Sequence, residues 1–299
     1  VIHAVEEVQA SRATLGDYLT LTKPRIIALL VVTAYCAMVV ADGRIPPLGL
    51  TFFALLGLAM STAGAHAVNM WYDRDIDAVM SRTRRRPLVT GKIPPQQALW
   101  MGIGLELASI ALVLWRVNSL TAVWTTIGFL FYVVIYTIWL KRRTPQNIVI
   151  GGAAGSIPPL VGWAAVTGHM SVAAWLMFLI IFLWTPPHFW SLALYKRDDY
   201  QRAGVPMMPV VRGERSTKWQ SAVYAVLLLG ASIALYATHV VDVIYLVIAL
   251  IIGLGFIAVH VPLLREHMPQ VRWAKRTFHM SLWYMTGIFF AMVAGGLWR

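Results

Sequence analysis

Cysteine and charge are what this 299-residue sequence is short of. Its single cysteine, Cys36, excludes an intrachain disulfide and any CxxC metal knuckle. Charged residues make up 13% of the chain and apolar ones 59%, where a soluble globular protein carries about 25% and about 45–50%. Acids are scarcest, thirteen against 25 basic residues, for a formal net charge of +12. This composition excludes disorder, a collagen-like helix and a soluble DNA-binding domain. The short alternating segments of a membrane barrel are also lacking. Apolar residues come instead in continuous runs such as Val223–Leu235, and mean hydropathy is +0.67. The class is an all-α polytopic membrane protein.

One crossing takes roughly 20 residues, and nine apolar segments are present: 25–41, 48–68, 95–115, 119–140, 148–167, 171–194, 218–238, 242–264 and 277–298. With nine crossings, 22 of the 25 basic residues fall on the side of the N-terminus, leaving Arg44, Arg116 and Arg299 on the other. That asymmetry predicts a cytoplasmic N-terminus and an outside C-terminus. It also explains the basicity by topology and contact with anionic membrane lipid, so nucleic acid is not an expected partner. The first 22 residues carry Glu6, Glu7 and Asp17 and no long apolar core. They read as an amphipathic lead-in, not a signal peptide. Outer connections are short. Two inner ones are long, 69–94 and 195–217, and the chemistry is expected there. They follow the second and sixth spans, four helices apart, a hint of an internal repeat.

Five of the thirteen acids form two clusters at the inner ends of these spans. In the first, Asn69, Asp73 and Asp77 recur every four residues, one face of a helix if the second span continues, with His66 one turn back. Like charges at that spacing repel. Two readings fit: a divalent cation such as Mg²⁺, which takes one or two carboxylates plus substrate phosphates, or a solvated helix end whose acids pair with Arg74 and the arginines beyond. Arg82-Thr-Arg-Arg-Arg86 follows, either a membrane anchor or an anion clamp, since guanidinium forks match phosphate oxygens. The second cluster, Asp198-Asp199, leaves the sixth span after Trp184-Thr-Pro-Pro-His188. Two prolines in a span are tolerated where neighbours re-satisfy the backbone or a cavity is lined. His188 would stand about 15 Å along a helix from Asp198. An intramembrane histidine marks a functional site or a hydrogen-bonded structural group. Glu106, in the third span, calls for an internal partner.

Together these residues resemble the UbiA superfamily of intramembrane prenyltransferases: Asn69-x₃-Asp73-x₃-Asp77 after span two, Arg82-Thr-x₂-Arg86-Pro-Leu behind it, and an acidic cluster after span six. Narrower strings resemble the branch that acts on heme: Thr22-Lys-Pro-Arg25, Tyr136-Thr-Ile-Trp-Leu-Lys141, the glycine-rich Asn147–Pro159, Trp184-Thr-Pro-Pro-His188-Phe-Trp, and Asp199-Tyr-x₃-Gly204-Val-Pro-Met-Met-Pro. The match runs from about Thr22 to the last span. One departure is that Asp198 and Asp199 are adjacent, whereas relatives with aromatic substrates space these acids over several residues.

The resemblance implies one domain over residues 1–299: nine transmembrane helices around a central cavity, capped on the cytoplasmic side by the two long connections. It implies a bacterial inner-membrane enzyme that transfers farnesyl from farnesyl diphosphate to a vinyl group of heme B, with water added, giving heme O for a downstream heme A-forming enzyme. Two Mg²⁺ ions are implied, one on Asn69, Asp73 and Asp77, the other on Asp198 or Asp199. Arg25, Arg82, Arg86, Lys141, Lys196 and Arg197 would meet the diphosphate, and His66, His188 and Trp184 the heme. The competing expectations are the same chemistry on an aromatic or quinone-precursor acceptor, and a transporter. Gathering the acids at one membrane face favours a catalytic mouth over a transport path.

Overall fold

The computed structural model describes residues 13–298; Glu6, Glu7 and Arg12 of the lead-in lie outside the described residues. The described part of the lead-in contains α1 (Leu15–Thr22), which starts at a capping box in which the Thr14 hydroxyl accepts from Asp17 N at 3.3 Å. The Asp17 carboxylate accepts in return from Thr14 N at 3.0 Å. Leu21 is buried against Ala67, Met70, Leu88 and Ile93, whereas Leu15 and Leu19 are exposed. One side of the helix therefore packs on α3 and the first long connection. It ends at Lys23, whose backbone is left-handed (φ 54°), and Pro24 opens α2 (Pro24–Asp42). A proline suits this first helical position because its missing N–H would have no partner there.

The chain continues through α3 (Leu48–Tyr72), α4 (Arg74–Val79), α5 (Pro95–Arg116) and α6 (Ser119–Leu130), the last prolonged by a π-helix over Phe131–Leu140. Next come α7 (Asn147–Ser156) and α8 (Pro158–Thr167), which share one span broken where Pro158 and Pro159 offer no N–H. Then follow α9 (Val172–Tyr195), α10 (Arg197–Arg202), α11 (Met208–Val211), α12 (Gly213–Tyr236), α13 (Val243–Arg265) and α14 (Arg272–Leu297). Among the described residues nine helices are long and apolar enough to cross a membrane, matching the nine segments read from hydropathy. The seventh and ninth begin five residues earlier than their apolar runs, at Gly213 and Arg272. Hydropathy marks the hydrocarbon layer, and a helix satisfies its own backbone beyond it. For the same reason α3 runs on to Tyr72, so the first long connection starts at Asp73.

The spans pack in chain order around the bundle, but α2 also packs on α8 and α14 on α9, so the α7–α8 span and α9 are the most buried of the nine. Successive neighbours are α2, α3, α5, α6, the α7–α8 pair, α9, α12, α13 and α14, and α14 returns to α2. Because lipid is as apolar as the side chains, adhesion between spans relies on close packing, often at small residues. Gly64 of α3 and Gly102 of α5 meet backbone to backbone: a Cβ at Gly64 would lie 2.5 Å from Gly102 O. Gly162 of α8 seats against Ala34 O of α2, where a Cβ would come to 2.1 Å. A buried aromatic core around Trp163, Trp184, Tyr245, Phe256 and Tyr284 fills the α9–α12–α13–α14 side. Overpacking at a backbone contact has no flexible side chain to absorb it. Gly162→Val should therefore cost about 2 kcal/mol or more, read as a lower midpoint of thermal unfolding in detergent, with Gly155→Ala, in open space, as the unchanged control.

Candidate active site

The first acidic cluster keeps its helical register through the junction of α3 and α4. Asp73 N bonds Asn69 O at 2.9 Å and Asp77 N bonds Asp73 O at 2.8 Å, so the three residues stay one turn apart. All three are buried, Asp73 fully. Asn69 is the hub: its Nδ2 donates to Asp73 Oδ2 at 2.7 Å and Thr137 Oγ1 at 3.1 Å, and its Oδ1 accepts from Lys23 Nζ at 2.9 Å. Asp73 Oδ2 also takes the Lys141 ammonium, with Arg142 Nη2 at 3.6 Å from its other oxygen. Arg86 holds Asp77 at 2.5 Å. Arg74 turns away to Trp71 O. The acids thus do pair with cations, Asp77 with Arg86, one of the following arginines, and Asp73 with Lys141, whereas Arg74 takes no part and the helix end is buried, not solvated.

Local structure explains how the cations arrive. The left-handed turn at Lys23 lets its side chain reach Asn69. Burial, with Arg86 and Lys141 nearby, pulls the Lys23 ammonium down to about 7. The π-helix closes with Lys141 N on Tyr136 O at 2.9 Å and Thr137 Oγ1 on Tyr132 O at 2.8 Å, each five residues apart. π-helical turns are rare and often mark functional sites; here the turn sets both Thr137 and Lys141 against the Asn69–Asp73 pair. Asn147 Nδ2 ties down the Lys141 carbonyl at 3.2 Å. Arg86 is brought back by tight turns after Met80, with Thr83 Oγ1 on Asp77 O at 2.9 Å and Arg86 N on Thr83 O at 2.9 Å. Arg142 makes a two-pronged bond to exposed Asp75, both at 2.7 Å, which holds that carboxyl below the usual carboxylate range.

The donors fit magnesium. Asn69, Asp73 and Asp77 offer hard oxygens, and Asp73 Oδ1 is buried without a hydrogen-bond partner. Among the described residues no three His, Cys, Asp or Glu side chains converge as a complete metal cage. An ion held here would need further oxygens, and Mg²⁺ commonly completes its shell with water and phosphate.

The second cluster divides. α9 stops at Tyr195, and Lys196 (φ −116°, ψ 20°) turns the chain into α10, so no straight helix joins His188 to Asp198. Asp199 is buried, with Ser81 Oγ donating to Oδ2 at 2.6 Å and Arg202 2.5 Å from Oδ1. Those bonds, the Ser81 one foremost, keep its carboxyl below the usual range. Asp198 and Lys196 are exposed, and Arg197 is half-buried with an unpartnered Nε. The Ser81–Asp199 bond joins the two long connections, over an apolar seam of Ile76, Met80, Ile148, Ala193, Val205 and Met207. Both acidic clusters therefore lie at one end of the bundle. Arg82 is exposed near Tyr136, Tyr195 and Tyr200. Arg25 is exposed at the first turn of α2. It is Lys23, from the same string, that reaches the cluster.

The histidines occupy different surroundings. His66 Nδ1 lies 2.8 Å from Thr22 O, and its ring meets Tyr132 edge-on at 5.5 Å. The charges of Lys23 and Arg86 are close to it. His188 is stacked between Trp184 at 4.2 Å and Phe278 at 4.7 Å, with Ser281 Oγ 2.7 Å from Nδ1. Glu106 is buried in α5 and, against expectation, neither carboxylate oxygen has a hydrogen-bond partner among the described residues. Sequence reasoning did not single out Lys23, Ser81, Thr137, Arg142 or Ser281. Lys23, Ser81, Thr137 and Arg142 sit within or beside quoted motifs without standing out in them, and Ser281, a serine in an apolar run, carries no signal.

A family model described as the UbiA prenyltransferase family matches residues 30–284. The chain is 57% identical over 277 residues to a protoheme IX farnesyltransferase of Symbiobacterium thermophilum, covering 93% of each protein. It is 47% identical to that of Gluconacetobacter diazotrophicus, covering 93% of this chain and 90% of the relative. Among solved structures, a digeranylgeranylglyceryl phosphate synthase superposes with TM-score 0.80 at 19% identity, covering 95% and 98% of the two chains. A UbiA homologue from Archaeoglobus fulgidus bound to DMAPP and Mg²⁺ gives 0.65 at 18%, covering 93% and 99%.

The Asp73–Lys141 pair generates a stability prediction. Removing one partner of a buried pair leaves an uncompensated charge and costs about 3 kcal/mol. Lys141→Met should lower the unfolding midpoint in detergent, and Asp73→Asn in that background should restore most of the loss. Additive losses would show that the pair is not coupled.

Proposed function

The chain belongs to the UbiA prenyltransferase family, and from that membership we propose that it transfers the farnesyl group of farnesyl diphosphate to a vinyl group of heme B. Water adds to the same vinyl group, and the product is heme O. The acceptor is the one in the names of the heme-farnesylating relatives. The observation that carries the chemistry is the buried Asn69–Asp73–Asp77 row ringed by Lys23, Arg86 and Lys141. Oxygen ligands for a divalent ion and cations for a polyanion stand side by side at the membrane boundary.

In this reading Asn69, Asp73 and Asp77 hold one Mg²⁺. Asp199, the inward member of its pair, belongs to a second, with Asp198 at the rim. Magnesium, when bound, supplies Lewis-acid stabilisation of charge growing on the departing diphosphate. Lys23, Arg86 and Lys141 act on the same charge as preorganised donors. Arg25, Arg82, Lys196 and Arg197 form the outer ring that attracts and orients the anion. The farnesyl chain and the porphyrin enter the apolar interior, where exclusion of water protects an allylic cation from early capture. The vinyl π-bond attacks that cation at its terminal carbon. The new carbocation beside the porphyrin takes one water and releases one proton. His66, His188 and Trp184 serve the acceptor, each histidine offering a nitrogen to the iron or to that water.

The charge asymmetry of the connections supports a bacterial cytoplasmic membrane location with this mouth facing the cytoplasm. The hydroxyethylfarnesyl product suits an enzyme that next oxidises the ring toward heme A.

Incubation with heme B, farnesyl diphosphate and Mg²⁺, followed by mass analysis of porphyrins, should give an adduct carrying one farnesyl and one water. Asp73→Ala and Asp77→Ala should each abolish that product while the protein still elutes as a folded species in detergent. Undiminished turnover in either would remove its metal role. Because Cys36 is buried, a cysteine replacing Arg85 in a functional chain should resist impermeant maleimide in intact cells, and one replacing Arg44 should react. The opposite pattern would invert the topology.

A further inference from the structure

Four histidines of the described residues lie in spanning helices: in His66, His260 and His279 the Nδ1 hydrogen is fixed by a backbone carbonyl, of Thr22, Phe256 and Lys275, whereas His188 Nδ1 faces a serine hydroxyl. The Ser281 hydroxyl has one hydrogen. It lies 2.6 Å from Phe278 O, a carbonyl, which can only accept. Ser281 Oγ therefore donates to Phe278 O and is left with lone pairs for His188 Nδ1, 2.7 Å away. A contact between two lone pairs would be repulsive, so His188 Nδ1 must carry the hydrogen. His188 Nε2 is then an unprotonated lone pair, and among the described residues it makes no hydrogen bond.

Everything around the ring holds this state. Trp184 Nε1 donates to Ser281 O at 2.7 Å, which pins the same turn of α14 to α9. Trp184 and Phe278 stack on the two faces of the imidazole at interplanar angles of 18° and 27°, so the ring cannot flip out of its slot. Ser281 has no exposed surface. Among the described residues no charged side chain hydrogen-bonds or pairs with His188, whose neighbours are Trp184, Phe278 and Ser281, whereas Lys23 and Arg86 lie close to His66. A flat apolar macrocycle with a metal at its centre suits aromatic walls and one neutral nitrogen donor. His66, beside Lys23 and Arg86, keeps the other acceptor role, a nitrogen for the captured water.

We propose that Ser281 is a positioning residue which locks His188 in the Nδ1–H form, so that Nε2 ligates the iron of the heme substrate. The proposal rests on the heme-acceptor reading above. A ligating histidine usually gives its other N–H to an acceptor, which fixes the tautomer and strengthens the donor nitrogen. Loss of that acceptor typically costs 10–100-fold in affinity.

The test is titration of the purified full-length protein in detergent with ferric heme B, following the Soret and visible bands. Ser281→Thr and Ser281→Val have the same shape and differ in the hydroxyl. The threonine variant should keep the wild-type ligation spectrum and affinity. The valine variant should bind heme at least tenfold more weakly, with an altered spectrum, while its affinity for farnesyl diphosphate stays unchanged. Ser281→Ala, which removes one atom from a helix, should follow the valine variant. His188→Ala should lose the histidine-ligated spectrum, and added imidazole should restore it. Equal spectra and affinities for the threonine and valine variants would overturn the role of Ser281. A histidine-ligated spectrum persisting in His188→Ala would overturn the ligand assignment. If the wild type still forms the farnesylated porphyrin in either case, only this proposal falls. If it neither binds heme nor forms the adduct, the heme reading falls with it.

Discussion

Asp73 has no exposed surface, and a carboxylate in that position has to be paired or it destabilises the fold by several kcal/mol. This one requirement gathers the site. Satisfying Asp73 calls for Asn69 from its own helix and Lys141 from the end of the π-helix; Asn69 in turn calls for Lys23 from the start of α2. Three crossing segments are thereby held at one depth and in one rotation. Small-residue packing such as Gly64 on Gly102 sets how closely helices approach, but polar pairing at their ends decides which side chains face one another. The fold's adhesive and its candidate chemistry use the same atoms.

The fold was legible because bilayer thickness and charge asymmetry impose long-period patterns that no local detail can hide. All nine crossing segments could be bounded to within about five residues from hydropathy alone. The acidic row Asn69–Asp73–Asp77 was legible because helical spacing projects directly onto one face. Partners were less so. Arg25 stands out in Thr22-Lys-Pro-Arg25, yet a left-handed turn at Lys23 aims the lysine inward and leaves the arginine exposed. Nothing in Phe131–Leu140 announces five-residue spacing, so Thr137 could not be aligned with Lys141 beforehand. Asp198 and Asp199 look equivalent in sequence; only the fold of the other connection, which delivers Ser81, tells them apart. Such contacts depend on residues 46, 68 and 118 positions away.

The bundle separates two environments along its length. Near the helix mouths, ammonium, guanidinium and carboxylate groups alternate at hydrogen-bond distance. On the α9–α14 side, His188 sits among aromatic rings and the Ser281 hydroxyl, with no charged partner among the described residues. The break at Lys196 and the prolines of α9 lie on either side of the change, so one helix serves both environments. A substrate with an anionic head and an isoprenoid tail is matched by that gradient, and a porphyrin by its apolar side.

Pairing the cations in the protein by itself also bears on how an anion is received. Lys141 and Arg86 are held by Asp73 and Asp77, and Lys23 by Asn69. Ordered partners keep these side chains from spending rotamer entropy when a polyanion arrives, a cost that would otherwise reach about 1 kcal/mol for each long side chain. Asp73 and Asp77 would hold a divalent ion that comes with a diphosphate, and Lys141 and Arg86, freed from them, would then face its phosphate oxygens. Such an exchange would keep charge at the mouth, so that the apolar interior need hold no unpaired charge before a prenyl chain ionises.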